Sequence, residues 1–279
     1  MKEKIKLRLE KFKKFLRRNM TPAWFKRSLY QVMSFLVCVA LLIGVAAYAV
    51  TKSYDERELE FVDGFTITAH TGAFDTAANS LEFIEAAIKN NVEVIEIDIR
   101  QRPNGEIVMS HDLVVTNNDG VLAEEAFKLL SGTEIEINLD IKETRTLNTL
   151  HDLLVEYNLL SNAFLTGIEE SDVKAVKASS CANMKYYLNY EPSILHIYGD
   201  DYQQELLDLL AETGAVGINC NYKYATGTLE SLLHENGYLL SIWTVNNTYT
   251  IKRALALSPD NVTTEEYEKV LETINEWGE

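Results

Sequence analysis

Residues 93–112, EVIEIDIRQRPNGEIVMSHD, gather two acids and a histidine into a short span. Alternate side chains of a strand share a face, so Ile95, Ile97 and Ile99 point one way and Glu96 and Asp98 the other. Asn104-Gly105 supplies a turn, and a second strand over 107–110 ends in His111-Asp112. His70 closes another β-rich run, FTITA. In 134–142, EIEINLDIK, the residues Glu136, Asn138, Asp140 and Lys142 share one face, with Ile135, Ile137, Leu139 and Ile141 on the other. Three carboxylates from two strands repel one another in a site of low dielectric, and a hard divalent cation removes the repulsion. Oxygen ligands of this kind suit Mg2+ or Ca2+ better than zinc. Two histidines beside such an ion can act as base and acid near neutral pH, while the ion and Lys142 neutralise a phosphate oxyanion. The chemistry these parts fit is metal-assisted cleavage of a phosphodiester.

Each part has a simpler reading when taken alone. A histidine at a strand end is often a hydrogen-bonded structural residue, and an EIEI run is often a half-exposed strand with solvated acids. His151, His196 and His234 lie in no comparable setting and are assigned to surface or core positions.

The elements that must position these groups alternate. Strands are predicted over 65–69, 94–99, 107–110, 135–141, 163–166, 185–189, 215–219, 239–245 and 261–263. Helices are predicted over 80–90, 123–130, 146–157, 170–178, 203–213, 227–236, 249–258 and 264–277. That rhythm predicts an α/β fold with a parallel sheet, a TIM-type (β/α)8 barrel whose chemistry sits at the C-terminal strand ends. Nine strands are one too many for eight, so one is an excursion or a misassignment. The step from Ile99 to Ile107 is too short for a crossover helix, so either an extended loop replaces the helix or the two runs pair locally.

The formal charge of −16 is uneven. Residues 1–27 hold 11 Lys/Arg against Glu3 and Glu10, whereas 28–279 hold 15 basic and 40 acidic residues, a net −25. An acidic globular part argues against nucleic acid as a partner. The basic stretch precedes 22 uncharged residues, 29–50, long enough to cross a bilayer as one helix. The expected organisation is a basic cytoplasmic segment over 1–28, a transmembrane anchor over 29–51, a juxtamembrane linker over 52–62 and the barrel over 63–279. The N-terminus is then cytoplasmic and the barrel lies outside the cell membrane. A cleaved signal peptide is the competing reading, since Ala47-Tyr48-Ala49 has the small-x-small pattern of a processing site. Cys181 and Cys220 are expected as buried thiols rather than as a disulfide.

The order of the motifs resembles the glycerophosphodiester phosphodiesterase family, of the TIM-barrel phosphodiesterase superfamily that includes the phosphatidylinositol phospholipases C. The likeness covers residues 65–270. The family's HRG is similar to His70-Thr71-Gly72, its ELD to Glu96-Ile97-Asp98, its HD to His111-Asp112 and its NIEIK to Asn138-Leu139-Asp140-Ile141-Lys142. Its WTVN is present as Trp243-Thr244-Val245-Asn246, and an ITD-like strand as Val262-Thr263-Thr264. The resemblance implies hydrolysis of small or polymeric glycerophosphodiesters to glycerol phosphate and an alcohol. It implies acid-base work by His70 and His111, a divalent ion on Glu96, Asp98 and Asp140, Lys142 on the phosphate, and Trp243 in the substrate pocket. The sequence departs from the family at Thr71, in place of Arg, and at Ala78, where PENT aligns with Ala77-Ala78-Asn79-Ser80; Asp140 replaces Glu. These departures motivate the alternative of a catalytically impaired barrel that binds phosphate-containing ligands or a protein partner.

Overall fold

The computed structural model describes residues 21–278 together with Ile5, Lys6, Arg8, Glu10, Lys11, Lys13 and Lys14; most of the basic segment lies outside the described residues. The chain divides into two compact units at Ser53 and Tyr54.

The first unit contains all but the last residue of α1, Pro22–Tyr54, in which no residue is buried and the mean hydropathy of the most apolar stretch is 2.5. At 1.5 Å per residue its 33 residues extend about 50 Å, more than the hydrocarbon thickness of a bilayer. The helix is therefore long and apolar enough to span a membrane.

The second unit is the barrel. In chain order it comprises β1 (Thr66–Ala69), α2 (Leu81–Lys89), β2 (Val94–Gln101), β3 (Ile107–Met109), β4 (Val121–Leu122), α3 (Ala123–Leu130), β5 (Glu136–Ile141), α4 (Leu147–Glu156), β6 (Ala163–Ile168), α5 (Val173–Ala178), β7 (Tyr186–Asn189), α6 (Asp200–Thr213), β8 (Gly217–Asn221), α7 (Gly227–Glu235), β9 (Leu239–Trp243), α8 (Thr248–Leu255), β10 (Asn261–Thr264) and α9 (Tyr267–Asn275). Eight parallel strands run β1-β10-β9-β8-β7-β6-β5-β2, and pairing of β1 with β2 closes the ring. The predicted TIM-type barrel is thus the observed architecture. The ninth strand candidate is β3, which folds back antiparallel on β2, with Ile99 opposite Met109 and Gln101 opposite Ile107; β4 extends the hairpin. Local pairing is what the short 99–107 step allowed, since only a hairpin turn fits there.

Strand parity sorts the side chains into two environments. Ile95, Ile97, Ile99, Ile137 and Leu139 are fully buried in the apolar core, where they join helix residues such as Phe83, Ile84 and Ala87 of α2. These α2 residues recur at helical spacing, and Ser80 caps the helix by accepting the Phe83 N–H at 3.1 Å. Burying Phe83 alone is worth about 1.5–3 kcal/mol. On the opposite face of the strands polar groups satisfy one another. The hydroxyls of Thr66 and Thr68 donate to Asn261 Oδ1 at 3.0 and 2.7 Å, and Asn261 Nδ2 donates to Ser241 at 3.0 Å. A polar interior in place of the usual apolar layers leads directly into the mouth. Cys181 and Cys220 are free and buried, and burial pushes their thiols up to about 11 and about 12.

The chain before β1 also belongs to the barrel unit. Asp55 pairs with Lys252 of α8, Trp277 Nε1 donates to the Arg57 carbonyl at 2.9 Å, and Leu59 packs on the core.

Candidate active site

Register brings the acids together. Strands β2 and β5 pair with Glu96 beside Asn138 and Asp98 beside Asp140, so one face of each strand delivers its carboxylates to the same level of the barrel. Glu96, Asp98 and Asp140 each offer an oxygen, and these three atoms lie within 4.8 Å of one another. Glu96 and Asp98 are buried. Burial, and then the charges of Asp98 and Asp140, push the Glu96 carboxyl well above the ordinary carboxylate range.

The hydrogen bonding around the trio is unequal. Glu96 Oε2 accepts the Thr71 N–H at 3.1 Å, whereas Glu96 Oε1 and Asp140 Oδ1 are buried without a partner. Lys142 Nζ lies 2.7 Å from both Asp98 Oδ1 and Asp140 Oδ2. Burial opposes the charge on Lys142, but Asp140 and Asp98 outweigh it and hold the ammonium above its usual range. Two orphaned carboxylate oxygens and an uncompensated buried glutamate fit a hard divalent cation, because such an ion needs oxygen ligands and stabilises the ionised acid.

His70 stands beside this trio. Its Nδ1 is 2.9 Å from the Thr71 carbonyl, which can only accept, so Nδ1 carries a proton and, in the neutral ring, Nε2 carries the lone pair. Nε2 is 3.6 Å from Glu96 Oε2, and Nδ1 is 3.6 Å from Glu265 Oε1. His111 lines the same cavity from its rim, with 74% of its side chain exposed. Its carbonyl is held by Arg100, whose Nε and Nη2 donate at 3.2 and 3.0 Å. Asp112 points to solvent, 3.7 Å from His111 Nδ1. The cavity has a volume of about 540 Å3 and is also lined by Lys142 and Trp243. All seven residues singled out for the site therefore meet at one mouth: His70, Glu96, Asp98, His111, Asp140, Lys142 and Trp243.

Thr71 and Asn79 lie behind the acids, in contact with Glu96 and Asp98, where the sequence departs from the family pattern. Thr71 is buried, and its hydroxyl accepts the Asn79 N–H at 2.5 Å. Asn79 in turn grips Asp98, a role that the sequence did not reveal although the Asn of the Ala77–Ser80 quartet was its one surviving mark. Also missed were Asn189, Asn219 and Glu265, and Gly167, where a Cβ would collide with Asp140 Oδ1.

No protein-family model matches the chain, and comparison with curated proteins gives no match. Solved structures do match. A glycerophosphodiester phosphodiesterase from Thermotoga maritima superposes with a TM-score of 0.60 at 18% identity, covering 76% of this chain and 99% of its own. The chain has the fold of the glycerophosphodiester phosphodiesterases. One from Parabacteroides distasonis gives 0.60 at 15% identity, with coverage of 76% and 98%. An Oleispira antarctica phosphodiesterase in complex with the product sn-glycerol-3-phosphate gives 0.60 at 16%, with coverage of 75% and 96%. The resemblance carried by the motifs extends to the three-dimensional architecture.

Proposed function

We propose that this protein is a membrane-anchored, divalent-metal-dependent phosphodiesterase that hydrolyses glycerophosphodiesters to glycerol phosphate and an alcohol. The observation that carries the reading is the convergence of Glu96, Asp98 and Asp140 within 4.8 Å, at the mouth of a barrel and beside a histidine whose Nε2 faces them. The three carboxylates would hold a divalent ion, which would supply charge neutralisation for the phosphate. Lys142 adds a cation on the same wall. His70 Nε2 takes the proton of the glycerol hydroxyl as that oxygen bonds to phosphorus, and His111 gives a proton to the departing alcohol oxygen as the P–O bond breaks. Water then opens the cyclic phosphate with the two histidines in exchanged roles. Trp243 forms part of the substrate wall.

The chain is organised for this role as a basic cytoplasmic segment over 1–28, an anchor over 29–51, a connection over 52–62 and the catalytic barrel over 63–279. The length and hydropathy of α1 support anchoring in the cell membrane, and the Lys/Arg excess before it supports a cytoplasmic N-terminus with the barrel outside. Protease digestion of sealed vesicles of known sidedness tests this topology.

The activity is tested on the full chain in detergent with a panel of glycerophosphodiesters and Mg2+, Mn2+ or Ca2+. Metal-dependent release of glycerol phosphate that Glu96→Ala abolishes is the expected result. No turnover, or turnover undiminished in Glu96→Ala, overturns it. One observation favours a second reading, a barrel that binds phosphate-containing ligands without turnover: Lys142 bridges two of the three acids. Ligand binding with no divalent-ion binding and no turnover would select that reading.

A further inference from the structure

The cavity lining changes character around the barrel. Strands β1, β2 and β5, with the residue after each of β1 and β5, contribute His70, Glu96, Asp98, Asp140 and Lys142, whereas strands β6 to β9 contribute the uncharged Thr166, Asn189, Asn219 and Trp243, and the segment after β6 adds Glu169 and Asp172. On the β6–β9 wall, Asn189 Oδ1 accepts the Gly167 backbone N–H at 3.1 Å and the Asn219 Nδ2 at 2.9 Å. The backbone donor fixes which end of the Asn189 amide is oxygen, and that in turn fixes the Asn219 amide. The group of Asn219 left over is therefore its carbonyl. Asn219 is 7% exposed, and its Oδ1 has no partner. Trp243 lies on the neighbouring strand, two residues nearer the mouth than Ser241, the register partner of Asn219; its Nε1–H is likewise buried without a partner.

One wall thus carries an unanswered acceptor and an unanswered donor. Leaving such groups unpaired is costly, so a ligand that answers them binds selectively. A phosphate or carboxylate answers only the indole, an ammonium answers only the amide oxygen, and a quaternary ammonium answers neither. A hydroxyl donates and accepts.

We propose that Asn219 and Trp243 form a hydroxyl-binding subsite that selects a polyhydroxylated half of the phosphodiester. This rests on the phosphodiesterase reading for its substrate, and the hydroxyl belongs either to the glycerol half or to the departing alcohol.

Calorimetry on the full chain in detergent with Mg2+ compares glycerol phosphate with propyl phosphate, of equal charge and chain length but without hydroxyls. Glycerol phosphate binds at least about tenfold tighter to the wild type, and Trp243→Phe and Asn219→Leu each cut the difference several-fold with propyl phosphate unaffected. Equal binding of the two phosphates to the wild type, or a difference unchanged in both variants, overturns the proposal. Trp243→Phe keeps the ring in the wall, so the test stands if Asn219→Leu fails to fold. Turnover then separates the sources. A KM raised by Trp243→Phe for both glycerophosphoglycerol and glycerophosphocholine assigns the hydroxyl to the glycerol half, and a KM raised for glycerophosphoglycerol alone assigns it to the alcohol. Hydroxyl-selective binding with no diester turned over would sink the phosphodiesterase reading and leave the subsite standing.

Discussion

Asn79 holds Asp98 from two directions: its Nδ2 donates to Asp98 Oδ2 at 2.7 Å, and its Oδ1 accepts the Asp98 backbone N–H at 3.1 Å. One amide thereby sets both the strand backbone and the carboxylate plane of a candidate metal ligand. Asn79 is in the left-handed region, with φ of 55°, which asparagine tolerates and alanine does not. Asn79→Gly keeps that backbone and deletes the amide, whereas Asn79→Ala also adds strain. Both variants are expected to lose about 10–100-fold in divalent-ion affinity, the usual cost of removing a residue that orients a ligand. Asn79→Ala should melt lower than Asn79→Gly by about 1 kcal/mol of stability. Metal titration by calorimetry and thermal melts of the two variants check this, and unchanged metal affinity in Asn79→Gly would remove Asn79 from the site.

Asp98 was legible in the sequence and Asn79 was not, for a physical reason. Glu96, Asp98 and Asp140 break the apolar pattern of buried strands, and strand parity alone puts them on one face. The hairpin of β2 and β3 was legible as an alternative, because seven intervening residues cannot hold a crossover. The two-residue β4 has no periodicity to read. Asn79, Asn219 and Gly167 acquire meaning only from register across strands and loops distant in sequence. The same holds for Lys142, expected on a phosphate and found also spanning Asp98 and Asp140.

Gly167 is the point where β6 presses on the acids. Its φ is 71°, and a Cβ there would strike Asp140 Oδ1 and come within 2.6 Å of the Ile141 carbonyl. Gly167→Ala should therefore displace Asp140, lower metal affinity and turnover at least about tenfold, and cost about 1–3 kcal/mol of stability. Gly132 is the control, since its φ is 83° but a Cβ there meets nothing within 4 Å. Gly132→Ala is expected to lower the melting temperature and leave turnover unchanged. Equal turnover in both variants would contradict the close packing of Asp140 on β6.

The buried Glu96 ties stability to pH and to metal. Burial and the neighbouring acids raise its folded-state pKa above the unfolded value, so the native state holds the proton more tightly. In chelator its contribution is accordingly undiminished below the ordinary glutamate range and is lost as pH rises through the raised value. Metal-free wild type should lose stability relative to Glu96→Gln between pH 5 and pH 8. Divalent ion binds the ionised form and reverses the trend: at 100 times Kd the gain is about 2.7 kcal/mol, roughly 5–10 °C for a domain of this size. Thermal melts at the two pH values, with chelator and with Mg2+ or Ca2+, read both effects. A Glu96→Gln protein that gains as much from metal as the wild type would exclude Glu96 as a ligand.

Lys142 answers two carboxylates in the structure, and the proposed reaction also places it on the phosphate. Lys142→Met retains the aliphatic stem and removes the charge, which separates the roles. The loss of a cation beside Asp98 and Asp140 should tighten divalent-ion binding, because the ion no longer competes with an ammonium for the same oxygens. Turnover of a glycerophosphodiester should fall by about 10²–10³, the cost typical of deleting one preorganised contact to a developing oxyanion. Tighter metal binding together with slower turnover is therefore the signature of a phosphate contact. Tighter metal binding with turnover intact would restrict Lys142 to balancing the acids, and weaker metal binding would mean that it positions Asp98 and Asp140 for the ion.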